Sequence, residues 1–294
     1  MRPRLWTDDN AAPRRYDIDA ELGECPYWIA GASRLAWVDI AGQRYATLDP
    51  ATGATQTHRF PHRVGSAAPI DAGTAILATD DGLYRWRLDR PLERLPSPDM
   101  RGITFNDGKC DSAGRFWIGS RARDGSSGGG TLFRFEGGVA PEPIASGFDV
   151  CNGMGWSPDG RFFYLIDTVP RHLYRFHYDA ARGALGHREL LSGFEGVPGK
   201  PDGLAVDAVG RIWCAMWDGS GIVILSPQGV PIDWLPTPCP RPTSCAFGDT
   251  DLRTLYVTSA RIGLNPDDPA FGASGALLAY RLAVAGQPVA RFAG

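Results

Sequence analysis

A short apolar strand pattern that returns six times is the feature that most narrows what this chain can become. It reads RLAWVDI from Arg34, GTAILAT from Gly73, GRFWIGS from Gly114, GRFFYLIDT from Gly160, GRIWCAMW from Gly210 and RTLYVTSA from Arg253. Successive copies start 39, 41, 46, 50 and 43 residues apart. Each is followed by an alternating segment split by turn residues, as in GTLFRFEGGVAPEPI and GIVILSPQGVPIDWL, which predicts an outer hairpin. Repeated units of this size predict an all-β fold, a six-bladed β-propeller with four-stranded antiparallel blades around a central channel. A β-sandwich would have no reason to repeat one pattern six times. In the sixth unit the outer hairpin is expected from GALLAYRLAVAGQPVARF, and the N-terminal stretch is expected to close the ring. No linker composition separates the units, so residues 1–294 are expected to form a single domain.

Composition agrees with β structure: 37 Gly and 24 Pro punctuate the chain, and 9 Trp, 9 Tyr and 13 Phe suit pleated surfaces. With 30 basic and 33 acidic residues the net charge of −3 offers no field for nucleic acid or an acidic membrane. The first residues carry arginines with no apolar stretch behind them, and no segment is apolar enough to span a bilayer, so a cytoplasmic protein is expected. A monomer or weak homo-oligomer is expected. The cysteines at 25, 110, 151, 214, 239 and 245 form no C-x-x-C pair and read as buried free thiols.

In a propeller, residues at one offset within the repeat stand at one height on the axis. Asn106 lies eight residues before Gly114, Asn152 eight before Gly160 and Asp202 eight before Gly210. Glu24 fits the series if the first unit is longer by one, and Gly65-Ser66 and Ser244 fall near the same offset. The axis is thus expected to be ringed by one Glu, one Asp, two Asn and small residues. Each polar residue is followed closely by Gly or Pro (GECP, FNDG, CNG, PDG), which marks a bend at the channel mouth. Taken singly, an N-G or D-G dipeptide is an ordinary turn; several at one offset are not. Facing carboxylates repel and are costly to bury unless a positive charge compensates them. A divalent cation does so. Oxygen ligands without His or Cys suit Ca²⁺, Mg²⁺ or Mn²⁺, and Zn²⁺ also accepts Asp and Glu.

At these residues the sequence resembles the family of senescence marker protein 30 (regucalcin), gluconolactonases and luciferin-regenerating enzyme. The resemblance is carried by ELGECPYW, FNDGKCDSAGRFWIGS, CNGMGWSPDGRFFYLIDT, PDGLAVDAVGRIWCAMW and TSCAFGDTDLRTLYVTSAR, which span Glu21 to Arg261. It implies a six-bladed propeller with one metal ion held by Glu24, Asn152 and Asp202, with Asp202 also the general base. It further implies substrate contacts from Asn106 and, past the segment where many members read G-T-M, from Asp124. Here that segment reads Gly119-Ser120-Arg121. Many members carry a sugar-binding arginine two residues before the N-D-G asparagine; here the position is Thr104, and Arg101 and Arg121 are the candidates to replace the missing cation.

The expected function is therefore metal-dependent hydrolysis of a small-molecule sugar lactone, with no nucleic-acid or membrane partner. A hydrolase of another ester, such as a phosphotriester, on the same centre is an alternative, as are a calcium-binding regulatory protein and a metal-free scaffold. Gly125-Ser126-Ser127-Gly128-Gly129 matches G-x-S-x-G but precedes a strand pattern, so it reads as a loop rather than a nucleophile elbow. His58 and His62 flank Pro61 away from the axial offset and read as surface residues, as do His172, His177 and His187. Trp37, Trp117, Trp213 and Trp217 read as core, with a substrate contact by Trp217 at its strand end as the alternative; the segment 265–274 reads either as a plain surface excursion or as a loop over the mouth.

Overall fold

The computed structural model describes residues 12–294; residues 1–11, on which the absence of an apolar leader was read, lie outside the described residues. Six four-stranded antiparallel sheets form the ring. The inner strands are β2 (Gly23–Ile29), β6 (Val64–Pro69), β10 (Ile103–Cys110), β14 (Cys151–Trp156), β18 (Lys200–Val206) and β22 (Pro242–Gly248). Each contacts the next around the axis, and β22 meets β2 to complete the circle. The recurring apolar pattern is the second strand of each blade: β3 (Arg34–Asp39), β7 (Thr74–Thr79), β11 (Phe116–Ala122), β15 (Phe162–Asp167), β19 (Ile212–Trp217) and β23 (Thr254–Ser259).

The core is divided into six apolar layers, one between each pair of adjacent blades. Strand alternation explains the division. Trp117 packs toward blade four while its neighbours Phe116 and Ile118 pack toward blade two. Trp37, Trp117 and Trp213 are all buried, and the six cysteines are buried and free.

The step from first to second strand is fixed by a carboxylate. In D-S-A-G-R-F-W, Asp111 accepts hydrogen bonds from the backbone of Ala113 (2.9 Å) and Arg115 (3.0 Å), and from Arg115 Nε (2.7 Å), Trp117 Nε1 (2.9 Å) and the Tyr178 hydroxyl (2.6 Å). Asp207 repeats the arrangement with Val209, Arg211 and Trp213. Gly114 and Gly210 follow with φ of 84° and 90°, a conformation that favours glycine. Burial alone would raise the Asp111 pKa; the hydrogen bonds from Tyr178, Trp117 and Arg115 outweigh it and hold the carboxyl below its usual range.

The ring closes by sheet pairing. β1 (Arg14–Tyr16) adds to β24 (Leu277–Arg281) as the outermost strand of blade six, so the N-terminal stretch does close the ring. This corrects the expected hairpin in the sixth unit. Of GALLAYRLAVAGQPVARF only 277–281 is a strand, because β1 occupies the edge that a further C-terminal strand would need. The remaining residues run beneath the ring instead. Gly286 N donates to Leu252 O (2.8 Å), Gln287 Nε2 to Trp156 O (3.0 Å) and Val206 O (3.3 Å), Phe292 N to Pro69 O (2.8 Å) and Ala293 N to Gly114 O (3.0 Å). Val289 packs against the layer between blades one and two. This tail therefore touches the lower ends of all six blades. Above it, on the axis, lies a cavity of about 430 Å³ lined by the lower halves of the inner strands and by residues 287–290.

Asp111→Ala leaves Arg115 buried without its carboxylate and should cost about 3–5 kcal/mol in urea unfolding. Asp159→Ala, at the exposed Asp159–Arg161 pair in the same turn of blade four, where Ser157 takes the place of Asp111, should leave the urea midpoint nearly unchanged.

Candidate functional site

Every inner strand carries one extra residue relative to its partner, at the same level. The register shifts between Glu24 and Tyr27, Val64 and Ser66, Phe105 and Gly108, Cys151 and Met154, Pro201 and Leu204, and Pro242 and Ser244. Such bulges re-aim side chains, and these six bulges coincide with the polar residues of the axial offset. The glycines directly after Asn152 and Asp202 are there for close approach. A Cβ on Gly153 would stand 2.5 Å from Asp202 O and Leu204 N, and one on Gly203 would stand 2.1 Å from Ser244 Oγ. The inner strands thus meet backbone to backbone just where the polar side chains emerge.

Two further carboxylates anchor the entry to this level. Asp39 accepts from Glu21 N (3.1 Å) and Leu22 N (3.0 Å), just ahead of Glu24. Asp167 accepts from Asp149 N (3.1 Å) and Val150 N (3.0 Å), just ahead of Asn152.

Glu24, Asn152 and Asp202 are brought together and buried. Asn152 Nδ2 donates to Asp202 Oδ1 and to Thr168 Oγ1 (3.0 Å), which leaves Asn152 Oδ1 buried with no hydrogen-bond partner. Burial pushes the Glu24 carboxyl well above its ordinary range, and the charges of Asp202 and Asp107 push it further; the hydrogen bond from Cys25 N opposes them. Asp202 is likewise raised by burial, opposed by the Asn152 bond and reinforced by Asp107. Among the described residues neither carboxylate has a basic partner. Asp107, in the same N-D-G-K segment as Asn106, is the charged residue the sequence reading passed over. Its Oδ1 lies 3.3 Å from Cys25 Sγ and accepts from Gly108 N (2.7 Å). Burial raises it, and Lys109, whose Nζ donates to Leu204 O (2.9 Å), opposes the rise. The signal that could have found Asp107 is the bulge itself, which brings two consecutive residues of one strand to the axis.

The remaining expected residues are dispersed. Asn106 is half-buried, its Nδ2 donating to Cys151 O (3.0 Å) at the edge of the same cluster. Thr104 is half-buried and pairs across the ladder with Arg121. Arg101 is 91% exposed in its side chain and bound to Asp99. Asp124 is exposed in the 123–129 loop, its carboxylate accepting from Ser126 N (2.9 Å) and making no contact with the cluster. From that loop Ser127 Oγ donates to Asp149 Oδ1 (2.5 Å), and Gly128 N donates to the same oxygen. Trp217 is half-buried under the Arg241 guanidinium, 4.7 Å from the ring centroid. Segment 265–274 lies on the mouth side of the ring, where the adjoining Arg261 N and Ile262 N both donate to Glu21 O.

Among the described residues no three His, Cys, Asp or Glu side chains gather closely enough to hold a metal by themselves. The donor set here is a different one: two uncompensated carboxylates and an unpaired amide oxygen. These oxygens fit a hard divalent cation, which would supply the missing positive charge and the partner that Asn152 Oδ1 lacks.

With this geometry in view, the relatives of the chain are informative. It is 36% identical to the 6-deoxy-6-sulfogluconolactonase of Pseudomonas putida, over 93% of this chain and 95% of that one. It is 34% identical to the pentonolactonase XacC of Haloferax volcanii, over 94% and 96%. A calcium-binding protein, regucalcin, from Agrobacterium tumefaciens superposes with a TM-score of 0.89 at 27% identity, covering 95% of this chain and 97% of that one. Residues 22–261 match the model of the SMP-30/Gluconolactonase/LRE-like region, and the chain belongs to that family.

Proposed function

We propose that this chain hydrolyses a sugar lactone at the mouth of its channel, with a divalent cation held by Glu24, Asn152 and Asp202. The observation that carries the reading is the pair of buried carboxylates without a cation, beside a buried amide oxygen without a donor, in a family whose members include named lactonases. An ion held by these residues would supply Lewis acidity toward the lactone carbonyl.

The protein groups do the rest. In this reading the Asp202 carboxylate takes a proton from water as the water oxygen bonds to the carbonyl carbon. It returns that proton to the ring oxygen as the ring carbon–oxygen bond breaks, giving the open hydroxy acid. A lactone is an activated ester, so this weak base is adequate. Asn152 fixes the Asp202 carboxylate through its Nδ2. Asn106, held by Cys151 O, has its Oδ1 left for a sugar hydroxyl. Thr104 is placed beside it on the same strand, and Asp124 could reach substrate only by giving up its bond to Ser126 N. A calcium-binding regulatory role would use the same oxygens, and turnover separates the two.

The test is a pH-indicator assay over a panel of aldonolactones, with chelated protein and with added Ca²⁺, Mg²⁺, Mn²⁺ or Zn²⁺. Turnover should vanish on chelation and return with one of these ions. Asp202→Ala should lower kcat at least a thousandfold; a folded Asp202→Ala protein of near-normal activity would remove Asp202 from both roles.

Stability should report the ion as well. Glu24 and Asp202 have raised pKa values, so the metal-free folded state holds their protons more tightly than the unfolded chain does. Metal-free stability therefore falls as pH rises above the ordinary carboxylate range, about 4. A bound cation favours the ionised forms. The rise in melting temperature on adding the ion should be larger at pH 8 than at pH 5, and Glu24→Gln should shrink it.

A further inference from the structure

Three arginines stand on the mouth side of the ring, and none of them makes an ion pair with a carboxylate among the described residues. Arg121, at the upper end of β11, pairs with Thr104 on one side and bridges to Val150 on the other. It therefore sits between the two strands that carry Asn106 and Asn152, two residues above each, roughly 7 Å along a strand. It is half-buried, and its single hydrogen bond among the described residues runs from Nη1 to Ala122 O at 3.5 Å, which is long. Arg63, at the start of β6, is exposed, and Arg123 is fixed by Met100 O (2.9 Å) and Asp80 O. Both lie within electrostatic reach of Arg121.

The acidic groups of this rim are engaged elsewhere. Asp81 binds Arg94, Asp99 binds Arg101, Asp124 caps its own loop and Asp149 holds Ser127 and Gly128, while Asp80 meets Arg123 and Arg63 through its backbone and turns its carboxylate toward His62 at 3.8 Å. A half-buried guanidinium beside two like charges is costly to keep in place. Burial first, and then Arg63 and Arg123, weaken the hold of Arg121 on its proton, in keeping with a site short of negative charge. A planar guanidinium matches the paired oxygens of a phosphate or sulfonate.

We infer that Arg121, with Arg63 and Arg123 around it, forms an oxyanion subsite that selects lactones carrying a phosphate or sulfonate on the carbon remote from the carbonyl. This rests on the lactonase reading for its substrate class, but not for the arginine cluster itself. The carbonyl end lies at the level of Asn152 and Asp202, and the anion is held above it at the rim.

The test compares kcat/KM for glucono-1,5-lactone, its 6-phosphate and its 6-deoxy-6-sulfonate analogue. The wild-type protein should prefer one anionic lactone by at least tenfold, with a KM that rises with ionic strength, and the better substrate identifies the anion. Arg121→Gln should lower the ratio of anionic to neutral kcat/KM at least tenfold, Arg63→Gln at least threefold, and Arg121→Lys should restore part of it. No preference in the wild type, or a proportional loss on all three lactones, overturns the subsite. The exposed Arg63 gives a variant that folds even if Arg121→Gln does not. Failure to turn over any lactone would defeat the lactonase reading alone. Calorimetric titration with 6-phosphogluconate, its sulfonate analogue and gluconate then reads the arginines directly. Selective binding of one anionic-tailed ligand that both Gln variants weaken at least threefold upholds the subsite; no binding, or equal binding of all three, overturns it.

Discussion

A ring of twisted sheets keeps its channel only if its seam is closed, and the pairing of β1 with β24 does this. Residues near the two chain ends thereby share one blade. The six apolar layers then press each blade against two neighbours, and the inner strands are held close enough for glycine to be required between them. A strand added at the edge of a sheet contributes backbone hydrogen bonds without needing side-chain specificity. That explains how a segment as polar as Arg14-Arg15-Tyr16 can do this work.

The close approach has an electrostatic consequence. It forces Glu24 and Asp202 into each other's field, with Asp107 nearby and the single neighbouring lysine directed to Leu204 O. An ordinary core would not keep such a cluster, because uncompensated carboxylates weaken the folded state at neutral pH. The fold tolerates it through backbone anchors, Asp39 and Asp167, which fix the strand starts independently of what the axial side chains do. The carboxylates are thereby of two kinds: Asp111 and Asp207 in the turns meet arginine as well as backbone N–H groups, whereas Glu24 and Asp202 on the axis meet no basic side chain among the described residues.

Much of this was legible in the sequence, and the reason is the repeat. The recurring Gly-Arg-x-Trp starts at Gly114 and Gly210 were legible as strand repeats, whereas the part played by Asp111 and Asp207 in the preceding turns emerged only from the structure. The axial offset was legible for the same reason, and it pointed to Glu24, Asn152 and Asp202, which the fold brings together. What spacing could not convey was register. Thr104 and Arg121 are neighbours only because β10 and β11 pair as they do, and Asp107 reaches the axis only because the strand bulges there. The sixth unit misled because LAVAGQPVARF is apolar in the manner of a strand whether it pairs at a sheet edge or lies against the strand ends. The choice between the two was made by β1, more than 260 residues away.

The tail beneath the ring has a consequence for traffic. Gln287 and its neighbours cross the axis below the carboxylates, so the channel is a cul-de-sac rather than a through-passage. A reactant entering from the rim and the product leaving it must use the same doorway. Departure of one molecule then precedes arrival of the next, and anything lodged among the rim arginines stands in the path of both.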